Sequence, residues 1–281
     1  GRRWAPRGLS GPAKAVRASP SPRTAGWTSA PPSAHWPLPE PERAALTDLR
    51  PPPPLAMLAE GLTGLEFARL ALGWPTLARL PRGTGRPVVV CPGFSADDAS
   101  TLALRRCLRA LGHDARGWGL GRNLGAVPEL IPRLAERVTR LAEAAGDRVA
   151  LVGWSLGGYL AREVARERPH AVRRVATLGS PIVGGPKYTQ LAGLYRARGF
   201  DLDALEAVVA RRARQRLHVP VTVLYSRLDG VVAWQACVDR QEPMTENLEV
   251  RTTHFGFGFS PAVYRIVAER LARPDERAPR A

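Results

Sequence analysis

Short uninterrupted apolar runs alternate along this chain with longer stretches whose apolar residues recur at helical spacing. Pro87–Cys91 (PVVVC), Arg148–Val152 (RVALV), Val172–Leu178 and Pro220–Tyr225 (PVTVLY) have the length and content of buried strands. His113–Trp118 and Leu248–Thr252 extend the set. Between them, helices are expected over Asp98–Leu111, Val127–Ala145, Leu156–Arg168 and Pro261–Ala272, with Gly112, Gly146 and Pro169 as stops. Strands that alternate with helices predict an α/β fold: a mainly parallel central sheet with helices on both faces.

Two regions depart from this rhythm. Residues 1–54 are rich in Pro, Ser, Arg and Gly and end in the run Pro51–Pro54, so a disordered tail is expected there. Residues 55–79 read as an N-terminal helical segment. Leu55, Leu58, Leu62, Leu65, Leu70 and Leu72 fall at loosely helical spacing, with Gly61 and Gly64 as weak points. The leucines are expected to pack against the domain that follows, at 80–281. Within that domain, residues 182–218 hold no strand pattern. Two helical stretches, near Thr189–Arg198 and Leu202–Leu217, suggest a cap inserted between two strands.

Composition adds limits rather than a function. The chain has 281 residues, enough for one sizeable domain with appendages. Cys91, Cys107 and Cys237 form no Cys-x-x-Cys pair and no histidines cluster near them. Neither a metal site nor a disulfide framework is indicated, and buried free thiols are expected. The net charge of +16 comes almost wholly from arginine, since Lys14 and Lys187 are the only lysines. No arginine stripe interleaves with aromatics as a single-strand nucleic-acid groove requires. No specific nucleic-acid partner is therefore expected. No apolar run approaches a membrane span. Arg2-Arg3 is not followed by an apolar stretch, so a secretion signal is not supported and a cytoplasmic location is the expectation. The chain opens on Gly1, which leaves a removed signal open.

The chemistry concentrates in Gly153-Trp154-Ser155-Leu156-Gly157. This is a G-x-S-x-G pattern with a strand before it and a helix after it, the setting of a nucleophile elbow. Gly153 and Gly157 lack Cβ atoms, which lets strand and helix close around the serine. The helix N-terminus favours negative charge developing there. A serine hydroxyl needs a base to take its proton. In this arrangement an acid and then a histidine follow in chain order. Asp229 lies just beyond PVTVLY, and His254 opens the loop after Leu248–Thr252. His113 and His170 lie too early in the expected order, His218 precedes Asp229, and His35 falls in the tail. An oxyanion needs two backbone donors. The expected pair is Leu156, directly after the serine, and Phe94, in the Pro92-Gly93-Phe94 loop after the first strand. Asn123 is expected to bond within its own Gly-rich loop, and Asp97 and Asp98 to start the helix after the oxyanion loop.

Together the segments VVVCPGFSADDASTLALRRCL, GWGLGRNLG, VALVGWSLGGYLARE, ATLGSP, YSRLDGVV and THFGFG resemble the bacterial branch of the α/β-hydrolase superfamily grouped with triacylglycerol esterases and lipases. The likeness runs over roughly residues 80–273. It implies hydrolysis of small-molecule or lipid carboxylic esters without a cofactor. Peripheral membrane contact is the alternative to packing for the helical segment at 55–79. Where many lipases carry His-Gly in the oxyanion loop, this chain has Pro92-Gly93; backbone donation survives that change. Leu191, Leu194, Tyr195, Phe200 and Leu202 of the insertion are expected to offer apolar surface to an acyl chain. Alternatives that use the same residues are acyl transfer and thioester cleavage. A further alternative is a non-catalytic basic binding protein on the same fold. Oligomeric state is not specified.

Overall fold

The computed structural model describes residues 49–275. The tail expected over residues 1–54 lies largely outside the described residues. Six strands form one sheet in the order β2-β1-β3-β4-β5-β6. They are β1 (Pro87–Cys91), β2 (Asp114–Gly117), β3 (Val149–Trp154), β4 (Val172–Leu178), β5 (Val221–Tyr225) and β6 (Thr245–Glu249). Every neighbouring pair is parallel. β1 and β4 are buried along their whole length, as expected of strands covered on both faces. The helices are α1 (Thr63–Leu77), α2 (Leu102–Ala110), α3 (Val127–Ala145), α4 (Leu156–Glu167), α5 (Ala192–Ala197), α6 (Leu202–Ala213), α7 (Trp234–Cys237) and α8 (Pro261–Ala272). The parallel sheet with surrounding helices is the fold the apolar runs predict.

Local chemistry explains the helix limits. α3 starts with a proline in its first turn and stops at Gly146, whose φ of 60° suits a residue without Cβ. α8 likewise begins at Pro261. Asp97 accepts a hydrogen bond from the Ala99 N–H at 2.9 Å and caps the short 3-10 turn Asp98–Thr101 that leads into α2.

Two expectations are corrected. The last strand is Thr245–Glu249, not Leu248–Thr252. Its sequence, TENLE, is polar because β6 is an edge strand, half-buried, with one neighbour. Glu246 is held there by Thr222 Oγ1 at 2.8 Å and by Arg270. The more apolar stretch that follows continues as extended chain toward His254: Val250 donates to the Tyr225 carbonyl at 2.8 Å.

The second correction concerns the N-terminal segment. A 3-10 stretch, Pro54–Leu62, runs into α1. Leu70 and Leu77 are buried, but Leu55, Leu58, Leu62, Leu65 and Leu72 are exposed, Leu72 to 84%. Glu60 and Glu66 are buried instead, at 7% and 6%. The segment therefore turns its carboxylates inward and most of its leucines outward. Leu49, ahead of it, is buried with Tyr188, Ala233 and Ala236.

Between β4 and β5, residues 182–218 carry a 3-10 turn (Gly185–Tyr188), α5 and α6. Lys187 bridges Asp203 and Glu206 at 2.6 Å each, and Tyr188 donates to Glu206 at 2.6 Å. Arg212 of α6 pairs with Glu163 and Glu167 of α4, which fastens this excursion to the sheet's helix layer. No helix among the described residues is long and apolar enough to cross a membrane.

Candidate active site

Three turns meet at the C-terminal ends of the strands, the edge where open parallel sheets build their sites. Ser155 lies between β3 and α4 with φ 53° and ψ −124°. Such a backbone costs a non-glycine residue about 1–3 kcal/mol and persists only when its surroundings enforce it. Here they do. A Cβ on Gly153 would stand 2.3 Å from the Gly157 carbonyl oxygen, and one on Gly157 would stand 2.4 Å from the Cys91 carbonyl oxygen. β3, α4 and β1 therefore close to backbone contact around the serine. The Ser155 N–H is tied to Leu178 O of β4 at 2.8 Å. Leu156 follows as the first residue of α4.

Asp229 follows β5 and is 5% exposed. Its Oδ1 accepts from the N–H groups of Val231 and Val232 at 2.9 and 2.7 Å. Its Oδ2 faces His254 Nδ1 at 2.8 Å. That contact places the imidazole proton on Nδ1 and leaves Nε2 as the basic nitrogen. His254 is itself buried, and its carbonyl accepts from Trp154 Nε1 at 3.1 Å, so the residue before Ser155 holds the histidine loop. The Trp154 and His254 rings lie 6.1 Å apart.

Gly93 closes the other side. A Cβ built on it would approach Ser155 Cβ to 3.3 Å. The loop after Gly93 is tethered by Asn123, which is fully buried. Asn123 Nδ2 donates to the Pro92 carbonyl at 2.9 Å, and its backbone exchanges bonds with Ser95 and Ala96 at 2.7 and 2.8 Å. Its reach is therefore wider than its own loop: it fixes the segment that carries Gly93 and Phe94. The Phe94 side chain leaves the site and packs on Tyr195 at 5.6 Å between ring centroids, with Arg198 over its face. Tyr195 and Leu202 are buried within the 182–218 insertion, while Leu194 and Phe200 remain exposed. Only part of the expected acyl surface is thus open.

The free cysteines are buried. Burial pushes the Cys91 thiol up to about 12 and the Cys107 thiol up to about 11, which makes both poor nucleophiles. Burial, with Asp229 nearby, raises Cys237 well above its ordinary value.

Three contributors lie outside the sequence reading. Gly179, at φ 54°, lets the end of β4 approach Asp229, because a Cβ there would stand 3.0 Å from Oδ2. Trp154 links the serine and histidine turns. Glu60 accepts bonds from the backbone on both the aspartate and histidine loops. The visible hint of Glu60 was its isolation: it and Glu66 are the only acids between Leu55 and Leu77.

The chain belongs to the alpha/beta hydrolase family, whose family model matches residues 88–280. Among solved structures it is similar to a metagenome-derived lipolytic enzyme, with 15% identity and a TM-score of 0.53 over 68% of this chain and 93% of that one. It is also similar to the lipase BlEst2 of Bacillus licheniformis, with 18% identity and a TM-score of 0.52 over 69% and 94%. The monoacylglycerol lipase of Paleococcus ferrophilus gives 16% identity and a TM-score of 0.51 over 69% and 96%. At these identities the likeness concerns the fold.

Proposed function

We propose that this chain is a serine hydrolase of carboxylic esters that works through Ser155, His254 and Asp229. The observation that carries the reading is the 2.8 Å contact of His254 Nδ1 with Asp229, beside a serine held at positive φ on a strand-to-helix turn. His254 Nε2 takes the Ser155 proton as Oγ attacks the ester carbonyl. Asp229 holds the imidazole in the required tautomer and stabilises the imidazolium. The tetrahedral oxyanion is received by the N–H groups of Leu156, at the start of α4, and Phe94. His254 returns the proton to the departing alkoxide, and water then releases the acid from the acyl-enzyme by the same steps. No cofactor enters this sequence. The acyl chain is assigned to the open cap surface around Leu194 and Phe200.

The exposed face of Leu55, Leu58, Leu62, Leu65, Phe67 and Leu72, on a chain of net charge +16, supports peripheral contact with an anionic lipid surface. Flotation with phosphatidylserine vesicles tests this, and Leu58→Ser with Leu72→Ser should abolish it. Binding that survives both substitutions removes that face from consideration.

The main reading is tested by hydrolysis of nitrophenyl esters of graded acyl length and by labelling with a fluorophosphonate. The wild type should turn over and label; Ser155→Ala should do neither. Turnover that persists in Ser155→Ala removes the serine mechanism. Preferential acylation of an added alcohol or thiol would move the reading to acyl transfer. Salt-sensitive nucleic-acid binding without labelling would favour the non-catalytic alternative.

A further inference from the structure

Glu60 lies in the 3-10 stretch before α1, outside the residues that match the family model. Its Oε1 accepts from the Gly230 N–H at 2.9 Å and from the His254 N–H at 2.8 Å. Its Oε2 accepts from the Phe255 N–H at 2.9 Å. One carboxylate thus joins the residue after Asp229 to His254 itself. Gly230 is required for this approach, because a Cβ there would stand 2.4 Å from the Ala56 carbonyl oxygen. The same segment touches the histidine loop again through Thr63 Oγ1, 2.9 Å from Thr253 Oγ1, and through Phe67, which meets Phe259 edge-on at 5.8 Å.

The inverted burial of this segment makes the contact informative. Glutamate is rarely buried unless its oxygens are satisfied, and apolar side chains are the ordinary occupants of a helix's inner face. Here Leu58, two residues before Glu60, is 77% exposed while Glu60 is buried. Apolar burial does not account for that orientation. Three backbone bonds to the aspartate and histidine loops do.

We propose that Glu60 is a positioning residue for His254. It sets the histidine loop against the aspartate loop, and its negative charge adds to that of Asp229 in favouring the imidazolium formed during acyl transfer. The proposal rests on the assignment of Ser155, Asp229 and His254 given above. It also makes the segment before residue 80 part of the working site rather than an appendage of the hydrolase domain.

The test uses the full chain with Glu60→Ala and Glu60→Gln, and counts active serines by fluorophosphonate labelling. Rates are expressed per labelled serine, so misfolded protein does not enter. Glu60→Ala should lower kcat by about 10- to 100-fold with KM little changed, as expected when a catalytic group is displaced slightly. Its acid limb in kcat/KM should move to lower pH, because loss of a negative charge makes the imidazolium easier to deprotonate. Glu60→Gln keeps one acceptor oxygen for Gly230 and His254 but turns an amide N–H2 toward Phe255. It should lose less kcat while showing the same direction of limb movement, and it decides the matter alone if Glu60→Ala does not fold. A per-serine kcat within about twofold of wild type, with the acid limb unmoved in both variants, would overturn the proposal. If instead the wild type fails to label at Ser155, the assignment of the site itself has failed, which is a different result.

Discussion

At the N-terminal ends of the strands, Asp147 and Asp275 close on Arg86, with N···O distances of 2.6 and 2.7 Å, and Arg148 and Arg173 also stand against Asp275. At the C-terminal ends, Asp229 and Glu60 meet backbone N–H groups and one imidazole, and among the described residues no guanidinium pairs with either. The two solutions leave different electrostatics behind. A guanidinium cancels the carboxylate's charge where it binds it. Backbone N–H dipoles satisfy the oxygens while the net negative charge remains available to a neighbour. At the N-terminal ends, charge is neutralised and serves cohesion. At the C-terminal ends it is kept, and His254 is the neighbour in contact with it.

The sharpest way to break this comparison is to remove the retained charge while keeping its backbone bonds. In Asp229→Asn the amide oxygen can still accept from Val231 and Val232, but the NH2 then faces His254 and favours the wrong tautomer. kcat should fall about 10⁴-fold, with the thermal midpoint close to wild type. A loss below tenfold would mean that Asp229 does not serve His254.

Arg162 of α4 and Asp239, ahead of β6, provide the counter-case, a buried ion pair expected to serve cohesion. Both are almost fully buried, and Asp239 also accepts from the N–H groups of Gln241 and Glu242 at 2.9 and 3.1 Å. Burial pushes the Asp239 carboxyl up, but Arg162 and the two N–H bonds outweigh it and hold it below the usual carboxylate range. Asp239→Ala strands the guanidinium, so stability should fall by about 3–5 kcal/mol in urea unfolding. The rate per labelled serine should stay the same. A fall in that rate would show that cohesion and catalysis are not separable here. Asn123→Ala lies between the two classes. It should cost about 1–3 kcal/mol, because the Pro92 carbonyl loses its buried donor, and it should slow turnover by loosening Gly93 and Phe94. Equal stability in melts would show that the Pro92 bond is dispensable.

Most of the fold could be read from the chain because strands covered on both faces are continuous apolar runs, and α3, α8 and β4 fall where proline, glycine and apolar patterning put them. The edge strand β6 could not, since one neighbour and a half-exposed face leave its residues polar. Periodicity also failed for residues 55–77 in an instructive way. It detects two faces of a helix but not which face is inward. The site residues were chosen by motif and chain order, and the structure brings Asp229 and His254 together. Glu60 escaped because its partners are main-chain N–H groups as far as 195 residues away, and a backbone donor has no sequence signature.

The smallest expected effect belongs to Arg86, and its pH dependence separates neutralised charge from retained charge. The Arg86 hydrogen bonds, opposed by partial burial, hold Asp147 below the usual carboxylate range. For Asp275, burial pushes upward but Arg86 prevails, with help from Arg173 and Arg148. A carboxyl lowered in the folded state adds stability above its unfolded pKa of about 3.9 and loses it as pH falls through the folded value. The contribution is therefore present at neutral pH and disappears in acid. These groups are about a quarter to a third exposed, so solvent screens the pairs and Arg86→Ala should cost only about 1 kcal/mol near pH 7. As pH falls through the lowered folded values of the two carboxyls, the urea midpoints of the two proteins should converge. Raised salt should narrow the gap at pH 7 while leaving the Glu60→Ala defect in kcat largely in place, since the buried carboxylate is screened far less than the exposed cluster. A gap that persists undiminished at low pH would mean that Arg86 holds this end of the sheet by packing, not charge.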